Sequence, residues 1–318
     1  MRFLTFRTHR GRGFGCLVGD EVLDLNLAFN DHLGGSYSDR AGPFTYDMLS
    51  FLETGEKGFE EALRAKSETE KLLEEGESSA LREKSALISC KDIRLDAPIT
   101  RPRKNIVCLG FNYAEHLAEG NRSRNIDRPL PVHPIFFTKP PTAVAGPYDD
   151  VVYPRATEKL DYEVELALVI GRAGKYIPKN EVYDHIAGYM VFNDISARDL
   201  QRQHAQWFKG KSCDTFAPMG PYLVTPDEVG DPQNLDLWLK VNGVTRQSSN
   251  TREMIFDVKR IVSVLSAGMT LEVGDIIATG TPSGVGSSHA LGLLKVGDVV
   301  ETSIEKIGTL RNTIVSEE

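Results

Sequence analysis

"DYEVELALVI", residues 161–170, poses the question on which the fold turns. Alternate side chains of a strand share a face. One face here reads Tyr162, Val164, Leu166, Leu168 and Ile170, and the other Asp161, Glu163, Glu165, Ala167 and Val169. A strand with one wet face explains the alternation. It does not explain carboxylates that give way to Ala167 and Val169, which carry the same face into the interior. Residues i and i+2 project side by side about 7 Å apart, and like charges that close, half buried, raise one another's pKa. A bound cation removes the conflict.

A third oxygen ligand is available in "AGYMVFNDISARDLQ", where the apolar run Tyr189 to Phe192 ends in Asn193 and Asp194. Asp194 is read either as a ligand aimed from the end of a buried strand or as the cap of a helix starting at Ser196, which could cap it equally well. Three carboxylates with no adjacent His or Cys pair make a hard, all-oxygen site. Mg²⁺ suits it best, with Mn²⁺ or Ca²⁺ as alternatives.

The chain has 318 residues, 41% hydrophobic and 26% charged, with a formal net charge of −8. These values describe a globular protein of one large or two ordinary domains. No long basic run exists, so nucleic acid is not expected as a partner. No apolar stretch reaches membrane-spanning length and no signal peptide is recognisable, so the expectation is a cytoplasmic protein without a membrane partner. Cys16, Cys90, Cys108 and Cys213 are irregularly spaced, giving neither a zinc pattern nor a disulfide framework.

Residues 1–30 read as short strands with Gly turns, and the charge-rich run 57–86 as a solvated helical stretch. The Pro-rich "LDAPITRPRK", 95–104, is the best boundary. It separates a smaller N-terminal α+β domain, 1–98, from a mostly-β domain, 99–318, with short helices at 113–119, 196–208 and 255–267.

"FNYAEHLAEG", 111–120, reads as a short helix with Asn112 as N-cap, Glu115 as its capping-box partner and Gly120 at its end. His116 and Glu119 share a face at i, i+3. They are either a surface ion pair or a pair in which the carboxylate fixes the tautomer of a general base. "TGTPSGVG", 279–286, lacks the ending of a phosphate loop but can present backbone N–H groups to an anion. His9, His32, His133, His185 and His289 are read as unpartnered, and His204 as lying off the pocket.

"IVCLGFNYAEHLAEG", "DYEVELALVIG", "GYMVFNDISARDLQ", "KGKSCDTFAPMGP" and "GDIIATGTPSGVG" resemble, in order and spacing, the signature blocks of the fumarylacetoacetate hydrolase family across residues 104–314. The resemblance implies an α+β fold whose mostly-β catalytic domain is a twisted β-roll, usually dimeric. It implies a divalent metal on Glu163, Glu165 and Asp194, and a catalytic His116–Glu119 dyad; the helix carrying the dyad, about two turns long and marginal by itself, is expected to order over the substrate as a lid. It also maps a conserved Lys onto Lys211 rather than Lys209, a substrate-contacting Gln onto Gln201, and a loop near the substrate carboxylate onto Gly280 and Thr281. Members act on 2-keto acids. The expectation carried forward is metal-dependent hydrolysis of a C–C bond in a 2,4-diketo acid, an acylpyruvate or fumarylacetoacetate-type substrate. In it the dyad activates water, and metal and Lys211 stabilise the enolate. Isomerisation of a 2-hydroxyhepta-2,4-diene-1,7-dioate type and oxaloacetate decarboxylation stay open on the same site. A non-catalytic metal- or keto-acid-binding protein is the remote alternative.

Overall fold

The computed structural model describes residues 1–32, 46–288 and 291–318, with the side chains of 29–32 and 124 outside the description. His289 and the side chain of His32 therefore lie outside the described residues. The fold is α+β, with most regular structure in strands. Among the described residues no helix is long and apolar enough to cross a membrane.

Strand Val164–Ile170 is buried at every position, on both faces. That resolves the alternation: this is no half-wet strand, and the apolar tail of its carboxylate face is core. Fully burying a Val, Leu or Ile side chain contributes about 1.5–3 kcal/mol, so the run anchors its neighbourhood. It pairs antiparallel with Ile186–Asn193 on one side and with Ile276–Ala278 on the other. Ile276–Ala278 runs parallel to Ile106–Gly110, whose antiparallel partner Ile135–Lys139 is the last strand on that side.

On the opposite side, Ile186–Asn193 pairs with Ala217–Val224, and Ala217–Val224 with Arg2–Thr8. The N-terminal strands Arg2–Thr8, Gly11–Val18 and Glu21–Asp24 thus continue the same sheet, which holds twelve strands among the described residues. A second sheet of five strands is built from Asp236–Val241, Val244–Asn250, Val299–Ile304, Gly308–Ser316 and Val151–Tyr153.

The N-terminal sheet packs on an aromatic cluster in which the Phe3, Phe14 and Phe51 rings lie 4.8–6.0 Å apart. The charge-rich run contains helix Glu56–Glu74, which buries only a narrow stripe of Gly58, Ala62, Ala65 and Thr69 and leaves its charges in solvent. That stripe recurs at helical spacing and its small residues allow close approach.

Two expected helices shift. The first spans Ala114–Arg124, beyond Gly120. The stretch 196–208 is not one helix but Arg198–Gln203 followed by Phe208–Lys211.

Candidate active site

Register places the first pair of acidic groups. Val164 stands opposite Asn193, and just beyond the ladder the Asp194 N–H donates to Glu163 O at 2.8 Å. The Asn193 side chain accepts from Glu163 N at 3.0 Å. Two segments thirty residues apart are locked side by side, and Glu165 follows two positions along. Glu163, Glu165 and Asp194 each offer an oxygen, all within 4.8 Å of one another, and all three residues are buried. Asp194 caps nothing, because the following helix begins at Arg198 with Ala197 before it and no side-chain cap.

Asp161 leaves the group. Leu160–Asp161 pairs with Ser196–Ala197 in a separate two-stranded ladder. There the Asp161 carboxylate accepts from Arg198 Nε at 2.7 Å and from the backbone of Gly286 and Ser287.

Three buried cations answer the four carboxylates. Arg198 bridges Asp161 and Glu163, at 2.7 and 2.6 Å. Lys211 donates to Glu163 at 2.8 Å and to Asp194 at 2.6 Å. Lys139 donates to the other Asp194 oxygen and to Ile195 O. Glu165 is the exception: Gly280 N–H serves Oε2 at 2.8 Å, while Oε1 is buried with no partner among the described residues.

Titration behaviour follows. Burial alone would raise the Glu163 carboxyl, but Lys211 and Arg198 outweigh it and hold it well below the usual carboxylate range. Glu165 is pushed well above that range by burial and by the negative charges of Asp194 and Glu163. Burial likewise lowers Lys139. Lys211, despite burial, is raised by Asp194 and Glu163.

A lone carboxylate oxygen with no donor, set among two other acidic oxygens, fits a divalent cation. With metal–oxygen bonds of about 2.1–2.4 Å, oxygens that all lie within 4.8 Å of one another can share one ion.

A cavity of about 370 Å³ opens beside this cluster, lined by His116, Glu163, Arg198, Gln201, Lys211 and Thr281 among others. Arg202 and His204 also line it, so His204 belongs to the pocket, contrary to expectation. Phe111, Phe137 and Trp207 form an aromatic wall, with centroids 5.4 Å apart in each edge-on pair. Gln201 accepts from Arg198 at 3.2 Å, and Thr281 Oγ1 from Gln247 at 2.8 Å. Gly280 turns its N–H to Glu165 rather than to the cavity. Its φ is +95°, and a Cβ there would come within 2.8 Å of the Asn112 Cβ. A larger cavity of about 720 Å³ lies among the N-terminal strands. Its Arg12 and Arg82 are already paired, with Asp96 and Glu21, and among the described residues it holds no acidic cluster of this kind.

Helix Ala114–Arg124 covers the pocket on few contacts. Glu119 accepts Gly284 N–H at 3.0 Å, Ser283 donates to Glu115 at 3.2 Å, and Ser288 meets Ser123 at 3.3 Å. His116 Nδ1 stands 3.7 Å from Glu119, too far for a hydrogen bond, and has no other partner among the described residues. The dyad residues are neighbours, but Glu119 is engaged by the glycine loop. The capping box does not form: Tyr113 precedes the helix without a side-chain cap. Asn112 instead donates to Phe256 O and Thr279 O and accepts from Phe256 N. Lys139 and Arg198 were not anticipated. The one available signal was a charged residue ending a β-like run, "IFFTK", and another beside the acidic turn, "NDISAR".

Residues 105–315 match the model of the fumarylacetoacetate (FAA) hydrolase C-terminal domain. The chain belongs to this family. It is therefore read as an enzyme of that family. It is 47% identical over 233 residues to the oxaloacetate tautomerase YisK of Bacillus subtilis, covering 72% of this chain and 76% of that one. It is 42% identical over 300 residues to the mitochondrial oxaloacetate tautomerase FAHD2A of Bos taurus, covering 93% and 85%. Among solved structures, a maleylpyruvate hydrolase from Sphingobium sp. SYK-6, in complex with manganese(II) ion and pyruvate, superposes with a TM-score of 0.71. It is 28% identical, with both chains fully covered.

Proposed function

We propose that the enzyme interconverts the enol and keto forms of a 2-oxodicarboxylic acid of the oxaloacetate type, using a divalent metal held by Glu163, Glu165 and Asp194. The observation that carries this reading is Lys211. Its ammonium lies between Glu163 and Asp194 yet lines the cavity, beside where a negative oxygen on C2 would develop. Mg²⁺ is the proposed ion, and Mn²⁺ is supported by the manganese-bound relative. When bound, the ion supplies Lewis acidity and a template for the 1-carboxylate and 2-oxo group.

The chain's own groups do the rest. His116, which lines the cavity, takes the proton from C3, and the electron pair of the broken C–H bond moves into the forming C2=C3 double bond. Lys211 steadies the resulting charge on the C2 oxygen, which then takes up from His116 the proton removed from C3, giving the enol and restoring the base. The reverse path returns the proton to C3. Arg202 at the mouth offers a cation to the distal carboxylate, and the aromatic wall with the helix above excludes bulk water.

Cleavage of an acylpyruvate is the second reading. The place of His116 on the cavity wall favours it, because the same base could deprotonate a water. The test follows the enol absorbance of oxaloacetate and pyruvate release from acylpyruvates, with Mg²⁺, Mn²⁺ or EDTA. Tautomerisation abolished by EDTA and restored by either ion supports the proposal. Activity indifferent to EDTA rejects the metal, and rapid acylpyruvate cleavage without tautomerisation puts hydrolysis first.

A further inference from the structure

Two lysines share the Asp194 carboxylate, and they are not equivalent. Lys211 lines the cavity and can exchange a carboxylate partner for a substrate oxygen. Lys139 does not line the cavity and is wholly buried, at 0% exposure. Its acceptors are Asp194 Oδ1 and Ile195 O, a side chain and the next residue's carbonyl. It approaches from strand Ile135–Lys139, fifty-five residues away in sequence, so it pins Asp194 from outside its own element. A buried ammonium with two fixed acceptors has nowhere else to turn.

We propose that Lys139 is a positioning residue that holds one oxygen of Asp194 out of reach of the metal, so that Asp194 ligates through a single oxygen. The inference rests on the metal reading given above. A carboxylate with both oxygens free can chelate a divalent ion. Each added protein oxygen removes a position that a 2-oxo acid needs for two-point binding. Lys139 thereby keeps positions open, and its effect falls on ligand binding rather than on whether the ion binds.

The test uses the full-length enzyme with Mn²⁺ as probe, counting waters on the bound ion by water-proton relaxation and titrating oxalate as a two-point ligand. The wild type is expected to keep about three waters on the ion. Lys139→Met is expected to bind Mn²⁺ with about two and to bind oxalate about tenfold or more weakly, because a second Asp194 oxygen then competes for the positions a two-point ligand uses. Lys139→Gln, too short to reach both acceptors, is expected to shift the same way. Wild-type water number and oxalate affinity in whichever variant folds overturn the proposal. So does weakened Mn²⁺ binding with an unchanged water number, the mark of a merely structural role. If neither variant folds, a crystal structure of the wild type with Mn²⁺ decides: Asp194 chelating through both oxygens overturns it, one oxygen on the ion and the other on Lys139 supports it. A wild type that binds no Mn²⁺ defeats the metal reading itself, a result distinct from these.

Discussion

The floor and the roof of the pocket are built differently. The floor is the acidic cluster with Lys139, Arg198 and Lys211, all buried and, except for Glu165 Oε1, bonded on every charged group. The roof is helix Ala114–Arg124, held through three side-chain contacts to residues 283–288 and lacking a side-chain cap. A helix of eleven residues is marginal by itself. The contrast teaches that the charges are organised before any ligand arrives, whereas His116, the base of the proposed reaction, rides on an element cheap to move.

Breaking the floor should cost most. Asp194→Ala removes a proposed ligand, leaves Lys139 buried without its counter-charge and leaves Lys211 with Glu163 alone. Mn²⁺ binding should vanish and kcat/KM fall by about 10³-fold or more; calorimetric metal titration retaining wild-type affinity would argue against this ligand. His116→Ala, in the roof, should lower kcat by about 10²–10⁴-fold while leaving Mn²⁺ affinity intact. A parallel loss of metal would mean that roof and floor are not separable.

The third prediction sharpens the floor's one defect. Glu165 has a raised pKa when folded, so in the metal-free protein its neutral form is favoured. Stability from this group is present below about pH 4.5, the unfolded value, and is lost as pH rises towards the higher folded pKa. In EDTA, the melting temperature of Glu165→Gln should gain on the wild type as pH rises above about 4.5; a pH-independent difference contradicts the assignment. With metal present the sign should reverse, because the ion needs the carboxylate. The smallest effect is Glu119→Ala, which removes the Gly284 contact, worth about 1 kcal/mol. Amide exchange across 114–124 should quicken with the floor unchanged.

Much of the floor was legible because its signal is local. Alternation exposed Glu163 and Glu165, and the abrupt end of an apolar run exposed Asp194. The same alternation misplaced Asp161, because the ladder breaks between Asp161 and Val164 and no periodicity reports a break. Lys139 was signalled only by a charge ending a β-like run, and its meaning is a contact across fifty-five residues that no local pattern reports. The Asn112 cap failed for a related reason. The residue type suits a cap, but the 279 and 256 carbonyls compete for its amide, and tertiary bonding won over the local rule. His116 and Glu119 were found by spacing, yet spacing could not say that Gly284, whose φ of +101° excludes an ordinary side chain, would claim the carboxylate.

The backbone of Gly286 and Ser287 donates to Asp161, Asp161 accepts from Arg198, Arg198 donates to Glu163, and Glu163 shares Lys211 with Asp194. Loop exchange among relatives is an obvious route to altered selectivity, and this thread sets its limits. Grafting a foreign stretch over 283–288 would detune the acidic cluster from a distance, so swapped loops and compensating changes at 161 and 198 should show strong epistasis and would have to be selected together.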